Sequence, residues 1–281
     1  MKSDIRTRYE IDGYYAPITV LNEAEAASMR AHLDAHEAAH GPLSPAHRNN
    51  PHLLFTWLND LIRKDTILDA VGALIGDDIL VWGTTLFIKE PRHPGFVSWH
   101  QDSTYWGLDP ADVVTAWVAL SESNSQNGAL CVVPGSHALD QRPHIDTFDS
   151  ANMLSRGQEI AVKVDPATAM TLTLDPGQMS LHHVRMIHGS GSNVSDRRRI
   201  GFAIRYLPPH VRQLSGNRDT ATLVRGRDRH GNFDMEQVPR RDFGAEEQQF
   251  HEHVAKLQNQ IIMAGATVDP RRKATETATK S

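Results

Sequence analysis

Between residues 79 and 207 the sequence is written in short apolar runs set apart by turn clusters, and this grammar limits the fold more than any other feature. The runs cover 79–89, 95–100, 113–120, 130–133, 170–174, 179–181 and 199–207. Between them stand 124–128, Pro134-Gly135-Ser136 and Asp175-Pro176-Gly177, residue types that set or tolerate turn backbone. Strands this short, with helices gathered at the ends, predict a mainly β chain with flanking helices and a jelly-roll or cupin-like double sheet. The helices are legible too. Asn22 is a plausible N-cap for a helix over 23–40, which 41–45 then breaks. A second helical pattern runs over about 53–74, in one piece or two, with Leu54, Trp57, Leu58, Leu61 and Ile62 on one face. A third covers about 240–264, with Phe250, Val254, Leu257 and Ile261 as its buried stripe.

No repeat or linker separates the strand blocks. The expectation is a single domain over 1–266 with its β core at about 79–210, followed by a disordered tail over 267–281. The formal charge of −5 gives no electrostatic reason to expect nucleic acid or an anionic membrane as partner. A single cysteine, Cys131, permits no internal disulfide and reads as a buried strand residue in a reducing, cytoplasmic setting. The charged start is not that of a secretory signal, and no stretch reaches membrane-spanning length.

Sixteen histidines leave the task of finding those with a chemical address. Ser98-Trp99-His100-Gln101-Asp102 supplies one. Residues at i and i+2 of an extended strand share a face, so His100 and Asp102 can reach one ion while Gln101 faces away or lies along the rim, where it is a candidate substrate contact. A further histidine would complete two imidazoles and one carboxylate, the facial set of non-haem iron(II) oxygenases that leaves positions open for a 2-oxo acid and O2. His182, His183 and His188 are the candidates, and His188 is favoured. Arg199 follows it by eleven residues, so a hairpin between the two would put both side chains in one interior. There the guanidinium suits the distal carboxylate of 2-oxoglutarate, with the Ser190 hydroxyl beside it. For His182 and His183 the expectation is imidazoles at a strand end, bonded to backbone carbonyls.

His100-Gln101-Asp102, Asn127-Gly128, Pro134-Gly135-Ser136-His137, His188-Gly189-Ser190, Asn193 and Arg199 together resemble the phytanoyl-CoA dioxygenase family, which includes ectoine hydroxylase. The resemblance spans roughly 9–209. It implies a double-stranded β-helix and an Fe(II)- and 2-oxoglutarate-dependent dioxygenase that hydroxylates an aliphatic C–H of a small molecule, releasing succinate and CO2. It implies His100, Asp102 and His188 as iron ligands, Arg199 and Ser190 on 2-oxoglutarate, and Trp117 lining the cosubstrate pocket. Halogenases within the wider family carry a small apolar residue in place of the acid; Asp102 therefore points to hydroxylation.

Other residues carry two readings. Lys89 either contacts the cosubstrate or substrate or is an ordinary outward lysine, and Arg205 either faces the pocket or makes a surface salt bridge. Trp99, Tyr105 and Trp106 form a substrate wall or a packed core. Of 197–199, only Arg199 need face inward. Lys89, Arg185 and Arg205 hint at an anionic substrate. His137 is expected to fix a turn, and 212–233, rich in charge and glycine, is a candidate lid. The competing functions are the same iron chemistry ending in desaturation, cyclisation or epimerisation, and a cupin-like small-molecule binder without turnover.

Overall fold

The computed structural model describes residues 2–264; the tail expected over 267–281 lies outside them. Four helices come early: α1 (Lys2–Asp12), α2 (Glu23–His40), α3 (Thr56–Leu61) and α4 (Asp65–Ile75). Asn22 caps α2 through a full capping box, its side chain accepting from the Glu25 amide while Glu25 accepts from the Asn22 amide. The second helical pattern is in two pieces, as its length allowed. Its expected face is buried, with Leu54, Leu58 and Ile62 excluded from solvent. α1 and the strand β1 (Tyr14–Thr19) after it were not foreseen: one is polar, the other carries Pro17, and neither shows a clear apolar period.

The strands are β2 (Ile79–Lys89), β3 (Val97–His100), β4 (Leu108–Asp109), β5 (Val114–Ala119), β6 (Cys131–Val132), β7 (His144–Asp146), β8 (Gln158–Ile160), β9 (Met170–Thr171), β10 (Gln178–His183), β11 (His188–Ser190), β12 (Arg199–Leu207), β13 (Arg212–Gln213), β14 (Thr220–Arg225) and β15 (Asp234–Met235). The short helix α5 (Ser103–Trp106) interrupts them and α6 (Ala245–Ile262) closes the described chain. A seven-stranded sheet runs β1-β10-β5-β12-β2-β14-β15, and a four-stranded sheet runs β3-β11-β6-β9. This is the double sheet that the strand grammar predicts.

Alternation along the large sheet decides what faces what. Val114, Ala116 and Val118 on β5, Met179 and Leu181 on β10, and Ile200, Phe202, Ile204 and Tyr206 on β12 share a core with the early helices. Burying a side chain such as Phe202 contributes about 2–3 kcal/mol, which holds the helices onto that face. The intervening residues, including Thr115, Trp117, His182, Arg199, Ala203 and Arg205, face the small sheet across an internal chamber.

Four expectations are corrected. His188 and Arg199 form no hairpin: β11 pairs with β3 and β6, whereas β12 pairs with β2 and β5. The region 212–233 contains β14, hydrogen-bonded to β2, and so belongs to the sheet. On α6 the buried residues are Glu247, His251, Val254, Gln258 and Ile261; Phe250 and Leu257 are only partly covered, because polar side chains reach inward from this helix. His251, for one, bonds the Asn49 carbonyl at 2.7 Å. Cys131 is only partly buried, its Sγ 3.5 Å from Thr171 Oγ1 on the outer edge strand.

Candidate active site

His100 ends β3 and His188 begins β11, and the two are register partners across that antiparallel pair, so their rings stand side by side at 4.1 Å between centroids. Asp102 lies beyond the strand in helical backbone, as the residue before α5. His100 and Asp102 do converge, but not as i and i+2 of a strand: the chain turns after His100 and brings the carboxylate back onto it. Asp102 Oδ1 is 3.2 Å from His100 Nε2 and Oδ2 is 3.9 Å from His188 Nε2. One donor atom from each of the three residues lies within 4.8 Å of the others, and among the described residues this is the one such group of histidine, cysteine and acid side chains.

The tautomers follow from the partners. His100 Nδ1 faces the Ser98 carbonyl at 2.9 Å and His188 Nδ1 faces the Met186 carbonyl at 2.9 Å. A carbonyl only accepts, so each Nδ1 carries a proton, and each ring turns its Nε2 toward Asp102. Burial, followed by the neighbouring His100, brings the His188 pKa down to about 4 and keeps it neutral. Burial works against the charge of Asp102, but His188, His100 and Arg205 outweigh it and hold the carboxyl well below its usual range. Two imidazole lone pairs and a carboxylate converging from one side form a donor set suited to a divalent cation with open positions.

Behind the three residues the large sheet supplies two basic side chains. Arg199 on β12 is opposite Lys89 on β2, and both side chains are almost wholly buried. Arg199 Nη2 donates to the Gly128 carbonyl at 3.0 Å, its guanidinium lies 5.4 Å from the Trp117 ring centre, and its Nε has no partner. Gly201 makes room for that indole, since a Cβ there would fall 1.8 Å from Trp117 Cζ2. Lys89 Nζ donates to Ser190 Oγ at 2.7 Å and to the Gly191 carbonyl. Among the described residues no carboxylate lies within 4 Å of either, so the charge of Arg199 is uncompensated at this end of the chamber. Burial brings the Arg199 pKa down to about 9, which leaves it charged at neutral pH. Burial and then the Arg199 charge bring Lys89 down to about 6.

The Lys89 shift has a measurable sign. Folded Lys89 releases its proton near pH 6, whereas an unfolded lysine keeps it to about 10.5. Across that window the unfolded chain binds more protons, so ligand-free stability should climb with pH, by at most ~1.4 kcal/mol per pH unit from this one group. In Lys89→Met the climb is expected to be shallower when urea unfolding is followed at several pH values. Equal slopes in the two proteins would contradict it.

The chamber opens past Asp102, Phe87, Leu154 and Arg205 into an outer space of about 420 Å³ bounded by Tyr105, Trp106 and α6. Trp106 packs on Trp82 with ring centres 5.0 Å apart, so it is both wall and core. Tyr105 bonds Asp146 and lies under Arg156. Gln101 lines neither space: its amide is engaged by the Arg185 carbonyl and the Arg142 amide, so its expected substrate role is withdrawn. Trp99 alternates with His100 and is half-buried on the other face. Arg205 faces the chamber and makes no salt bridge among the described residues, its guanidinium 5.5 Å from the Trp106 ring centre and bonded to Thr85 Oγ1 at 2.6 Å. Arg185 is exposed. His137, expected to fix its own turn, bonds the Glu10 carbonyl of α1 at 3.2 Å and so ties that turn to the helix.

His182 and His183 both depart from expectation. His183 accepts from the Arg185 amide and points away from the chamber. His182 points in, 98% buried, with neither ring nitrogen bonded and its ring 4.8 Å from that of His188. Parity along β10 held the signal, since His182 shares the face of Ser180 and opposes that of Leu181.

Comparison with known proteins agrees with this geometry. The family model described as phytanoyl-CoA dioxygenase (PhyH) matches residues 7–201. A probable alpha-ketoglutarate-dependent hypophosphite dioxygenase of Stutzerimonas stutzeri is 34% identical over 59% of this chain and 58% of its own length. The peroxisomal phytanoyl-CoA dioxygenase of Homo sapiens is 30% identical over 45% of this chain and 39% of its own. The chain thus spans about half the length of the curated relatives it matches. A solved non-heme monooxygenase, ThoJ, superposes with a TM-score of 0.80 at 36% identity, covering 92% of this chain and 97% of that one.

Proposed function

The chain belongs to the phytanoyl-CoA dioxygenase family, and from that premise we propose that it is an Fe(II)- and 2-oxoglutarate-dependent dioxygenase that hydroxylates a small molecule. The observation that carries the reading is the convergence of His100 Nε2, His188 Nε2 and Asp102 at one end of a buried chamber whose other end is an unpaired arginine. When bound, ferrous iron with 2-oxoglutarate and O2 supplies the oxidising chemistry that turns an aliphatic C–H into C–OH, with succinate and CO2 as co-products.

The chain's own residues do the rest. His100, Asp102 and His188 would hold the metal, their orientation fixed by the carbonyls of Ser98 and Met186. Arg199 would take the distal carboxylate of 2-oxoglutarate, where burial makes a two-pronged ion pair strong. Lys89 and Ser190, already bonded to each other, extend that cradle, and Trp117 forms its wall. Phe87, Val97, Leu130 and Leu154 keep water out. The inner space is narrow, about 50 Å³, so the bulk of the substrate belongs in the outer one, against Tyr105 and Trp106.

We read the substrate as anionic, because Arg205 brings a second guanidinium to the junction of the two spaces. The whole of 1–266 is assigned to one dioxygenase domain, in line with a core that joins α1 to α4 with the large sheet. Among the described residues no helix is long and apolar enough to cross a membrane; a cytoplasmic setting fits the lone cysteine.

The test is succinate. Protein loaded with Fe(II) should convert 2-oxoglutarate to succinate slowly without substrate and faster with it, and a chelator should stop both. No succinate from iron-loaded protein would remove the enzymatic reading in favour of a binder.

A further inference from the structure

Three polar residues form a line across the floor of the chamber. His182 on β10 is the register partner of Thr115 on β5, and Thr115 is in turn the partner of Arg205 on β12. Cross-strand partners project to the same side, so all three side chains face the small sheet. All three line the chamber that holds His100, Asp102 and His188.

Their polar atoms are unspent. Among the described residues neither ring nitrogen of His182 nor the Thr115 hydroxyl has a partner, although both residues are 98% buried. Buried donors left unpaired are costly and rare, and a cluster of them facing a cavity marks a place where something else completes the bonding. Arg205 adds the charge. Among the described residues no carboxylate lies within 4 Å of its guanidinium, which is engaged by Thr85 and the face of Trp106.

Arg205 is not a duplicate of the cosubstrate anchor. Six residues of strand separate it from Arg199, roughly 20 Å of β12. The two guanidiniums thus serve opposite ends of the space, one deep beside Lys89 and one at the opening to the outer chamber.

We propose that His182, Thr115 and Arg205 form a subsite for an oxyanionic head of the substrate, a carboxylate or a phosphorus oxyacid, and so set its position beside the metal residues. This rests on the function proposed above. Arg205 pairs with the anion, the Thr115 hydroxyl donates to one oxygen, and a ring N–H of His182 donates to another. A neutral or cationic group would leave the guanidinium unmatched, and the subsite discriminates on that basis.

The experiment uses full-length protein saturated with Zn(II) and 2-oxoglutarate, so that no turnover occurs. Methylphosphonate is titrated in and followed by its phosphorus NMR line width, with propionate as a competing carboxylate. The wild type should show saturable binding, displaced by propionate if carboxylates share the site, and dimethyl methylphosphonate, the neutral ester, should not bind. Arg205→Met is expected to weaken binding about 100-fold, and Thr115→Val and His182→Phe each about 5- to 10-fold, the loss of a charged and of a neutral hydrogen bond respectively. Arg205→Lys should recover part of the loss, which separates charge from misfolding.

Three results overturn the proposal: no saturable anion binding by the wild type, equal binding of the neutral ester, or an Arg205→Met affinity that matches the wild type. A loss that falls on 2-oxoglutarate in place of methylphosphonate overturns it too, by assigning the row to the cosubstrate. Failure of the broader reading is recognised separately, by absence of succinate from iron-loaded wild type.

Discussion

Replacing His188 with alanine is expected to abolish the visible charge-transfer absorption given by anaerobic Fe(II) with 2-oxoglutarate, and to cut succinate formation on the order of a thousandfold. Loss of a residue that merely orients a ligand costs about 10- to 100-fold, and loss of a ligand itself should cost more. The reason is the register of β3 and β11, which sets His100 and His188 as partners with 4.1 Å between ring centres. No other described residue is placed to substitute: His182 is adjacent but stands outside the group of mutually close donors. His183→Ala should keep the absorption, since that ring points away from the chamber. The reverse pattern, loss in His183→Ala and retention in His188→Ala, would overturn the ligand assignment.

The second large effect is expected at Arg199. In Arg199→Met the affinity for 2-oxoglutarate should fall between about 30- and 5000-fold, the range that follows from removing one partner of a buried, hydrogen-bonded charge pair at about 2–5 kcal/mol. Iron affinity should stay within a few fold, because Arg199 bonds the Gly128 carbonyl and faces Trp117, not the metal residues. Titrating the absorption with 2-oxoglutarate at saturating iron, and with iron at saturating 2-oxoglutarate, separates the two. Equal losses in both titrations would mean that Arg199 holds the fold of the chamber and does not anchor the acid.

How much of this was legible in the sequence depended on whether a residue's neighbours in the chain are also what constrain it. α2 was readable because its cap is local: Asn22 and Glu25 satisfy each other. β2 and β12 were readable because long apolar runs between turn residues admit few other conformations. Arg199 stood out from Arg197 and Arg198 by spacing, and the structure pairs those two with surface acids instead, Glu122 for one and Glu37 and Glu90 for the other. β14 was misread as a lid because its pairing with β2 is supplied by residues 141 to 146 positions away, while its own run is short, half polar and flanked by charged, glycine-containing turns. Gln101 was misread for a similar reason. Adjacent to His100, it looked poised for substrate, but its partners come from 142 and 185. His182 was discounted because nothing in a sequence tells a satisfied imidazole from an orphaned one.

One property of the double sheet reaches further than the site. Two of the three proposed metal ligands, His100 and His188, hang from the thin sheet, in strands of four and three residues, and the proposed anchor of the acid stands on the broad one. In the proposed function the two sheets act as the jaws of a calliper, and the gap between them would gauge the acid held there. Apolar side chains line that gap: Val97 on β3, Leu130 and Leu154 from the adjoining loops, and Phe87 and Ala203 on the broad sheet. An ångström of drift between reacting groups costs about a hundredfold in rate, so the thickness of this greasy shim, which touches no electron that moves, governs the chemistry as firmly as the ligands do.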